Sequence, residues 1–415
     1  MLKKIFFISI VFSTFIFAQK ERQPLFFESH VFPNDSSSYK CYILFKIPYD
    51  QLVFTREGDF YTGGVNLNYE ILVEDEIYKR VTSSKSIQVD DYEATHSPNM
   101  YLQGITSFNL EPGNYKVLPS VNLQNTRREI ALRKYSLNIN IEKSEKYFSP
   151  VICSSNKAYY LDLPAKELTN LSNKIPFSQI DYDLILTFEG DMPDTLRAQL
   201  LQKNEVIHEY KLSKSISSGA ELVEKDNRIY YLFNSEIFPV STFLLPKITK
   251  HLKEGKVIIK LFAQDELLKE YELEVVWINK PFILSDINLA VDLYEKVTDD
   301  KKVEVIFDST EEEYYHRFFD YWAKFDPQKE TVYNELMDEF YSRADIAHLK
   351  YKTANNISGV KTDRGRTFVK YGEPDFVERH YEETNNIVEV WNYEKLNKEF
   401  IFEDRSGLGN YLLIN

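Results

Sequence analysis

The residues best suited to chemistry lie near the C-terminal end, where Thr362-Asp363-Arg364-Gly365-Arg366 is followed closely by Tyr371-Gly372-Glu373-Pro374-Asp375. Asp363, Glu373 and Asp375 brought to one place would make a carboxylate pair able to hydrolyse peptide or glycan bonds, one group holding a proton and the other activating water. Arg364 and Arg366 beside them would suit a charged recognition site. The same residue types have a plainer use, since arginine next to carboxylates commonly fixes a turn and Thr or Asp caps backbone donors. That plainer use is the reading adopted. Elsewhere the histidines, His30, His96, His208, His251, His316, His348 and His380, are scattered, with no pair at the His-Glu-x-x-His spacing of a zinc helix. Neither a metal site nor a cofactor is expected. Serine nucleophile elbows, phosphate-binding loops and dinucleotide fingerprints are also missing from the sequence, and Gly63-Gly64 reads as a hairpin turn.

Positioning these residues falls to the elements around them. Thr362 and Asp363 are expected in a turn, Gly365 in a conformation that other residues avoid, and Phe368 to Tyr371 in a strand that ends at Gly372-Glu373-Pro374-Asp375. Trp391 with Tyr393, then Phe400 with Phe402, supply further strands. Asp404-Arg405-Ser406-Gly407 turns into a closing strand from Tyr411 to Ile414. Ahead of them the hydrophobic period changes from two to near 3.6. Ser309-Thr310 before Glu312-Glu313 is a capping-box start, and Tyr315, Phe318, Phe319, Trp322 and Phe325 form an aromatic stripe closed by Asp326-Pro327. Val332, Leu336, Phe340, Ala344 and Ala347 make a second stripe. The spacing predicts a helical pair over a small antiparallel sheet.

The run from Gly359-Val360-Lys361-Thr362-Asp363-Arg364-Gly365-Arg366 through Phe368-Val369-Lys370-Tyr371-Gly372-Glu373-Pro374-Asp375 resembles the GWxTD domain family. The resemblance extends back over Phe319, Trp322, Asp326-Pro327, Asn334-Glu335 and Phe340-Tyr341-Ser342-Arg343, and forward over Val390-Trp391, Tyr393, Phe400, Phe402 and Asp404 to Gly407. It covers the last third of the chain. Val360 stands where the tryptophan that names the family belongs. What the resemblance implies is an exported bacterial protein of unassigned biochemical role.

Upstream, residues 19–148 read as short strands separated by turns. Val65, Leu67, Tyr69 and Leu72-Val73 form one strand and Leu137, Ile139 and Ile141 another, with a tight turn at Pro112-Gly113. Residues 149–282 repeat the pattern. Strands are expected at Leu184-Phe188, Tyr230-Phe233 and Val257-Phe262, a short helix at Lys247–Lys253, and a last strand where Tyr271, Leu273, Val275 and Trp277 alternate with glutamates. The expected fold is therefore mainly β and multi-domain: two tandem β-sandwich (Ig-like) modules, 19–148 and 149–282, followed by an α+β domain, 283–415.

The first residues carry an export signal by grammar. Lys3 and Lys4 precede an apolar run from Ile5 to Ala18, shorter than the roughly 20 residues that span a bilayer, and polar residues follow at once. Cleavage after Ala18 is expected, leaving no transmembrane segment in the mature chain. A net charge of −14 makes nucleic acid a poor partner. An oxidising compartment would permit a bridge between Cys41 and Cys153, although each sits where a small core residue is expected. With 415 residues the chain exceeds what one core usually serves. The function expected from all this is an exported (periplasmic or extracellular) non-enzymatic interaction or scaffold protein with an envelope or secreted protein partner. A hydrolase using the C-terminal carboxylates, or a carbohydrate-binding accessory protein, is the alternative.

Overall fold

Alternation decides the N-terminal β region. Along the strand Phe60–Val73, Val65, Leu67, Tyr69 and Ile71 are wholly buried while Asn66 points to solvent, as a half-buried strand requires. This strand pairs antiparallel with Gly113–Leu123 and Glu76–Val89 in a six-stranded sheet that also holds Leu137–Ile141. Phe26–Pro33, Tyr39–Pro48 and Tyr101–Leu110 form a second sheet of three strands. Both sheets bury side chains in one core, where Cys41, Ile43 and Phe45 of the smaller meet Leu67, Val117 and Val121 of the larger. Pro112-Gly113 makes the expected turn, but it carries the chain from one sheet to the other. Gly63-Gly64 is no hairpin turn, for both residues lie within Phe60–Val73. A Cβ on Gly64 would stand 2.5 Å from the Lys85 carbonyl oxygen, so the glycine serves close strand approach.

In the computed structural model the described residues are 25–97, 99–127, 129–131, 136–142, 147–234, 238, 240–381 and 386–415. The export signal expected at residues 1–18 lies outside them.

The middle of the chain builds an eleven-stranded sheet. Its path runs through Tyr182–Glu189, Val240–Leu245, Glu205–Lys225, Thr195–Gln202, Gly255–Ala263 and Glu266–Val276, with Lys174–Pro176 added parallel at the end. Glu205–Lys225 is long enough to pair first with Thr195–Gln202 and then with Arg228–Asn234. On Glu266–Val276, Tyr271, Leu273 and Val275 face inward and Glu270, Glu272 and Glu274 outward, as their alternation predicts. The short helix is a 3₁₀ turn, Ile248–His251.

The two β regions are pinned together. Phe32, Tyr42 and Leu44 share a core with Val151, Cys153, Ile185 and Tyr231, and Asn170 Nδ2 donates to the Phe45 carbonyl at 2.8 Å. Cys41 and Cys153 are separate buried thiols, the first within the N-terminal core and the second at this junction. Burial alone pushes the Cys41 thiol up to about 12. The permitted bridge does not form.

Beyond residue 283 lie α1 (Ile287–Thr298), α2 (Glu311–Trp322), α3 (Glu335–Lys350) and α4 (Asp363–Tyr371), then an antiparallel sheet of Phe376–Tyr381, Ile387–Tyr393, Lys398–Asp404 and Leu412–Leu413. The expected helical pair is α2 and α3, to which α1 and α4 are added. Thr310 does precede α2, yet its side chain makes no cap bond. The second stripe holds at Ala344 and Ala347, but before them it moves by one residue: Met337 and Tyr341 are buried, while Leu336 is exposed. A single apolar core runs from the eleven-stranded sheet through all four helices into the C-terminal sheet. The molecule is mainly β, with several sheets.

Candidate functional site

The signature residues are organised by α4, where a strand was expected. Thr362 Oγ1 accepts the Gly365 N–H at 3.1 Å and so caps the helix. Phe368 and Val369 then fall on the buried face with Gly365, a helical pattern too short to stand out from a strand-like pair. Gly372, at φ 81°, ends the helix. Gly365 itself is helical, and its role is contact: a Cβ there would stand 1.8 Å from the Gly359 carbonyl oxygen.

Arg364 leaves α4 toward the sheet. Its Nη1 donates to Glu389 Oε2 at 2.9 Å, and its guanidinium lies 3.6 Å from the Tyr411 ring centroid. Glu389, 3% exposed in the strand Ile387–Tyr393, also pairs with Arg379 and receives the Trp391 indole N–H at 3.4 Å. Burial would raise its pKa, but the bonds from Arg379 and Arg364 outweigh that and hold the carboxyl below the usual glutamate range. Trp391 is buried between Tyr351 and Phe402.

The three carboxylates singled out from the sequence have separate tasks. Asp363 pairs with Arg366 at 2.5 Å and accepts the Leu413 N–H at 2.9 Å. Glu373 pairs with Lys350. Asp375 accepts the Glu394 N–H at 2.8 Å. Tyr371 stacks near Phe400 and Tyr393, Tyr393 donates its hydroxyl proton to the Gly372 carbonyl, and Pro374 sits half-buried in the turn between them. Val360, in the place of the family tryptophan, is buried in the main core. Asp363, Glu373 and Asp375 do not line the cavities bounded by Phe177 and Asn334, by Leu72 and Asn140, by Pro193 and Glu266, or by Phe376 and Glu399. The geometry gives each of them a turn or an ion pair to hold, and no shared water or substrate position.

A concave site that sequence reasoning missed opens where the eleven-stranded sheet meets α2. It has a volume of about 320 Å³, with Phe177, Tyr315, Phe319 and Val332 among its lining and Asp320, Asp326, Lys253 and Lys329 as its charged groups. Glu254 also lines it, accepting from Lys280 at 3.0 Å and from the Tyr315 hydroxyl, while the Lys280 ammonium sits 4.3 Å from the Tyr315 ring centroid. Burial and the Glu254 carboxylate raise the Tyr315 pKa. His316 Nε2 accepts from the Lys203 ammonium at 2.9 Å. The aromatic stripe was the available signal: Tyr315 and Phe319 belong to it, but their partners Phe177 and Lys253 come from distant loops beside the eleven-stranded sheet.

Residues 284–412 match the family model of the GWxTD domain. No curated protein sequence matches the chain. Among solved structures, the C-terminal domain of the Streptococcus pyogenes antigen I/II-family protein AspA is similar at 9% identity, over 61% of this chain and 99% of that one, with a TM-score of 0.18, too low to indicate a common fold.

Proposed function

We propose that the protein is exported and acts as a non-enzymatic interaction or scaffold protein. In this reading two tandem Ig-like β-sandwich modules carry a C-terminal α+β domain, and that domain presents a pairing surface to an envelope or secreted protein. The observation that carries the proposal is the strand Phe376–Tyr381. Every residue along it is exposed, including Phe376, Val377 and Tyr381, and among the described residues it pairs on one side only, with Ile387–Tyr393. Natural sheets blunt such edges with charged side chains, proline or a covering element; here Glu378, Arg379 and His380 occupy the middle of the strand, while Phe376, Val377 and Tyr381 leave both its ends apolar. An open edge carrying large apolar side chains fits addition of an extended strand from a partner. The commitment of Asp363, Glu373 and Asp375 to turns and ion pairs supports the same reading.

The test is cross-linking of tagged protein in its native envelope, beside a variant with Phe376→Lys, Val377→Lys and Tyr381→Lys. These side chains are exposed, so the variant should melt with the wild type. A partner captured by the wild type and lost from the variant is the expected result. Capture of the same partner by both, or of none at any cross-linker length, overturns the proposal.

A further inference from the structure

We infer that the turn joining the strands Glu205–Lys225 and Arg228–Asn234 is an autoinhibitory guard: it occupies the free edge of the strand Tyr101–Leu110 and keeps that edge from pairing with its counterpart in a second copy of this chain. The inference concerns a different edge from Phe376–Tyr381 and stands or falls apart from the proposal made there. Among the described residues Tyr101–Leu110 pairs on one side only, with Tyr39–Pro48, and so ends the three-stranded sheet. Its 10 residues include no charge and no proline. Edges of that composition are the ones that pair with other chains, and proteins block them with charge, proline or a covering segment. This strand carries no such block of its own.

The hairpin supplies it. Asp226 and Asn227, at φ 50° and 59°, make a two-residue turn of the kind that favours Asn and Asp, and the turn sets Asn227 against the edge. The Asn227 Oδ1 accepts the Gln103 N–H at 2.9 Å and its Nδ2 donates to the Tyr101 carbonyl at 2.7 Å, while the Gln103 side-chain amide donates to the Asn227 carbonyl at 2.8 Å. One side-chain amide thus takes the two bonds that a residue of an adjoining strand would take. Further along, Glu224 Oε2 accepts the Ile105 N–H at 3.3 Å, and the other oxygen of that carboxylate pairs with Lys85. Gly104 lies between the two guarded N–H groups. A Cβ there would stand 2.9 Å from Glu224 Oε2, so the glycine leaves room for the carboxylate. The guard therefore brings to the edge the two features it lacks, a charge and a cover. The occupant it keeps out follows from symmetry: two identical uncharged edges meet antiparallel about a twofold axis with no like charges opposed.

The test uses the full-length protein with the guard removed. Asn227→Gly keeps a residue suited to positive φ and deletes the amide, and Glu224→Ala deletes the carboxylate. In the double variant the Gln103 and Ile105 amide protons should exchange about tenfold faster than in the wild type, the effect of one lost hydrogen bond each. Light scattering should show its mass rising with concentration over a range where that of the wild type is constant. Ser107→Lys, at an exposed position on the same strand, should return the double variant to the wild-type mass, because a charge on the edge opposes pairing. Asn227→Gly alone carries the same test, read at Gln103, if the double variant fails to fold. Unchanged exchange overturns the inference, because the guard then does not hold the edge. Faster exchange without association overturns it as well, since the released edge takes no second copy. Association that survives Ser107→Lys places the contact on another surface and overturns it too.

Discussion

Arg364 is worth more to the fold than to any surface. Its side chain is 12% exposed and that of Glu389 only 4%, so breaking the pair leaves a buried carboxylate with only Arg379 and the Trp391 indole N–H beside it. Losing one charged bond to a buried carboxylate that keeps other partners typically costs about 1.5–3 kcal/mol, and Arg364→Ala should lose about that much in denaturant unfolding at neutral pH. The sign of the pH dependence follows from the depressed pKa of Glu389. A carboxyl whose folded pKa lies below its unfolded one contributes stability above the ordinary glutamate value, and that contribution disappears as pH falls through the folded one. The gap between wild type and Arg364→Ala should therefore be widest near neutrality and narrow below about pH 4; a gap independent of pH would rule out the ion pair as its source. The sequence showed that Arg364 belonged in an ion pair, since its type and its neighbours said so. It did not show the partner, because Glu389 lies on a strand twenty-five positions away and is hidden among many glutamates.

At the scale of elements, the glycines of the signature set how closely α3 and α4 approach. The 3₁₀ turn Gly359–Lys361 is wedged between the last turn of α3 and the start of α4. A Cβ on Gly359 would lie 1.8 Å from the Ala347 carbonyl oxygen, and one on Gly365 equally near that of Gly359. Neither atom is at the end of a flexible side chain, so the backbones must separate. Gly365→Ala should cost about 3 kcal/mol, at the upper end for overpacking, although alanine is the better helix former by about 1 kcal/mol. A stabilised Gly365→Ala in thermal melts would mean that the contact relaxes freely. Strands were legible where alternation was long, as at Val65-Leu67-Tyr69 and Tyr271-Leu273-Val275. The helix α4 was not: nine residues hold too few turns for a period to emerge, and Phe368-Val369 is as good a strand pair as a helix face. The one-residue shift in α3 has a similar origin, since Leu336 and Met337 are equally apolar and only packing against α1, where the Tyr341 hydroxyl reaches the Ala290 carbonyl at 2.9 Å, decides between them.

For the whole molecule, the core that crosses from the eleven-stranded sheet into the helices makes the C-terminal region dependent on what precedes it. Trp277 follows the last strand of that sheet, and its ring meets Phe177 at 5.5 Å, Tyr333 at 5.6 Å and Phe319 at 6.3 Å between centroids. Two of these contacts come from the far side of the junction. Nothing in the linear pattern foretold this, because Trp277 completes an alternation that would be satisfied by burial within its own sheet. Truncation at the junction would therefore expose aromatic surface on both pieces, and a binding defect in such a fragment would say little about a site. A single substitution reads the coupling more cleanly. Trp277→Ala leaves a large cavity between the two regions and should cost about 3–5 kcal/mol. If the regions unfold as one unit, the loss appears as a single transition moved to lower denaturant, with fluorescence and circular dichroism coincident. Two separated transitions, with the helical signal lost before the β signal, would show instead that the shared core is too weak to couple them, and the C-terminal region could then be treated as an independent domain.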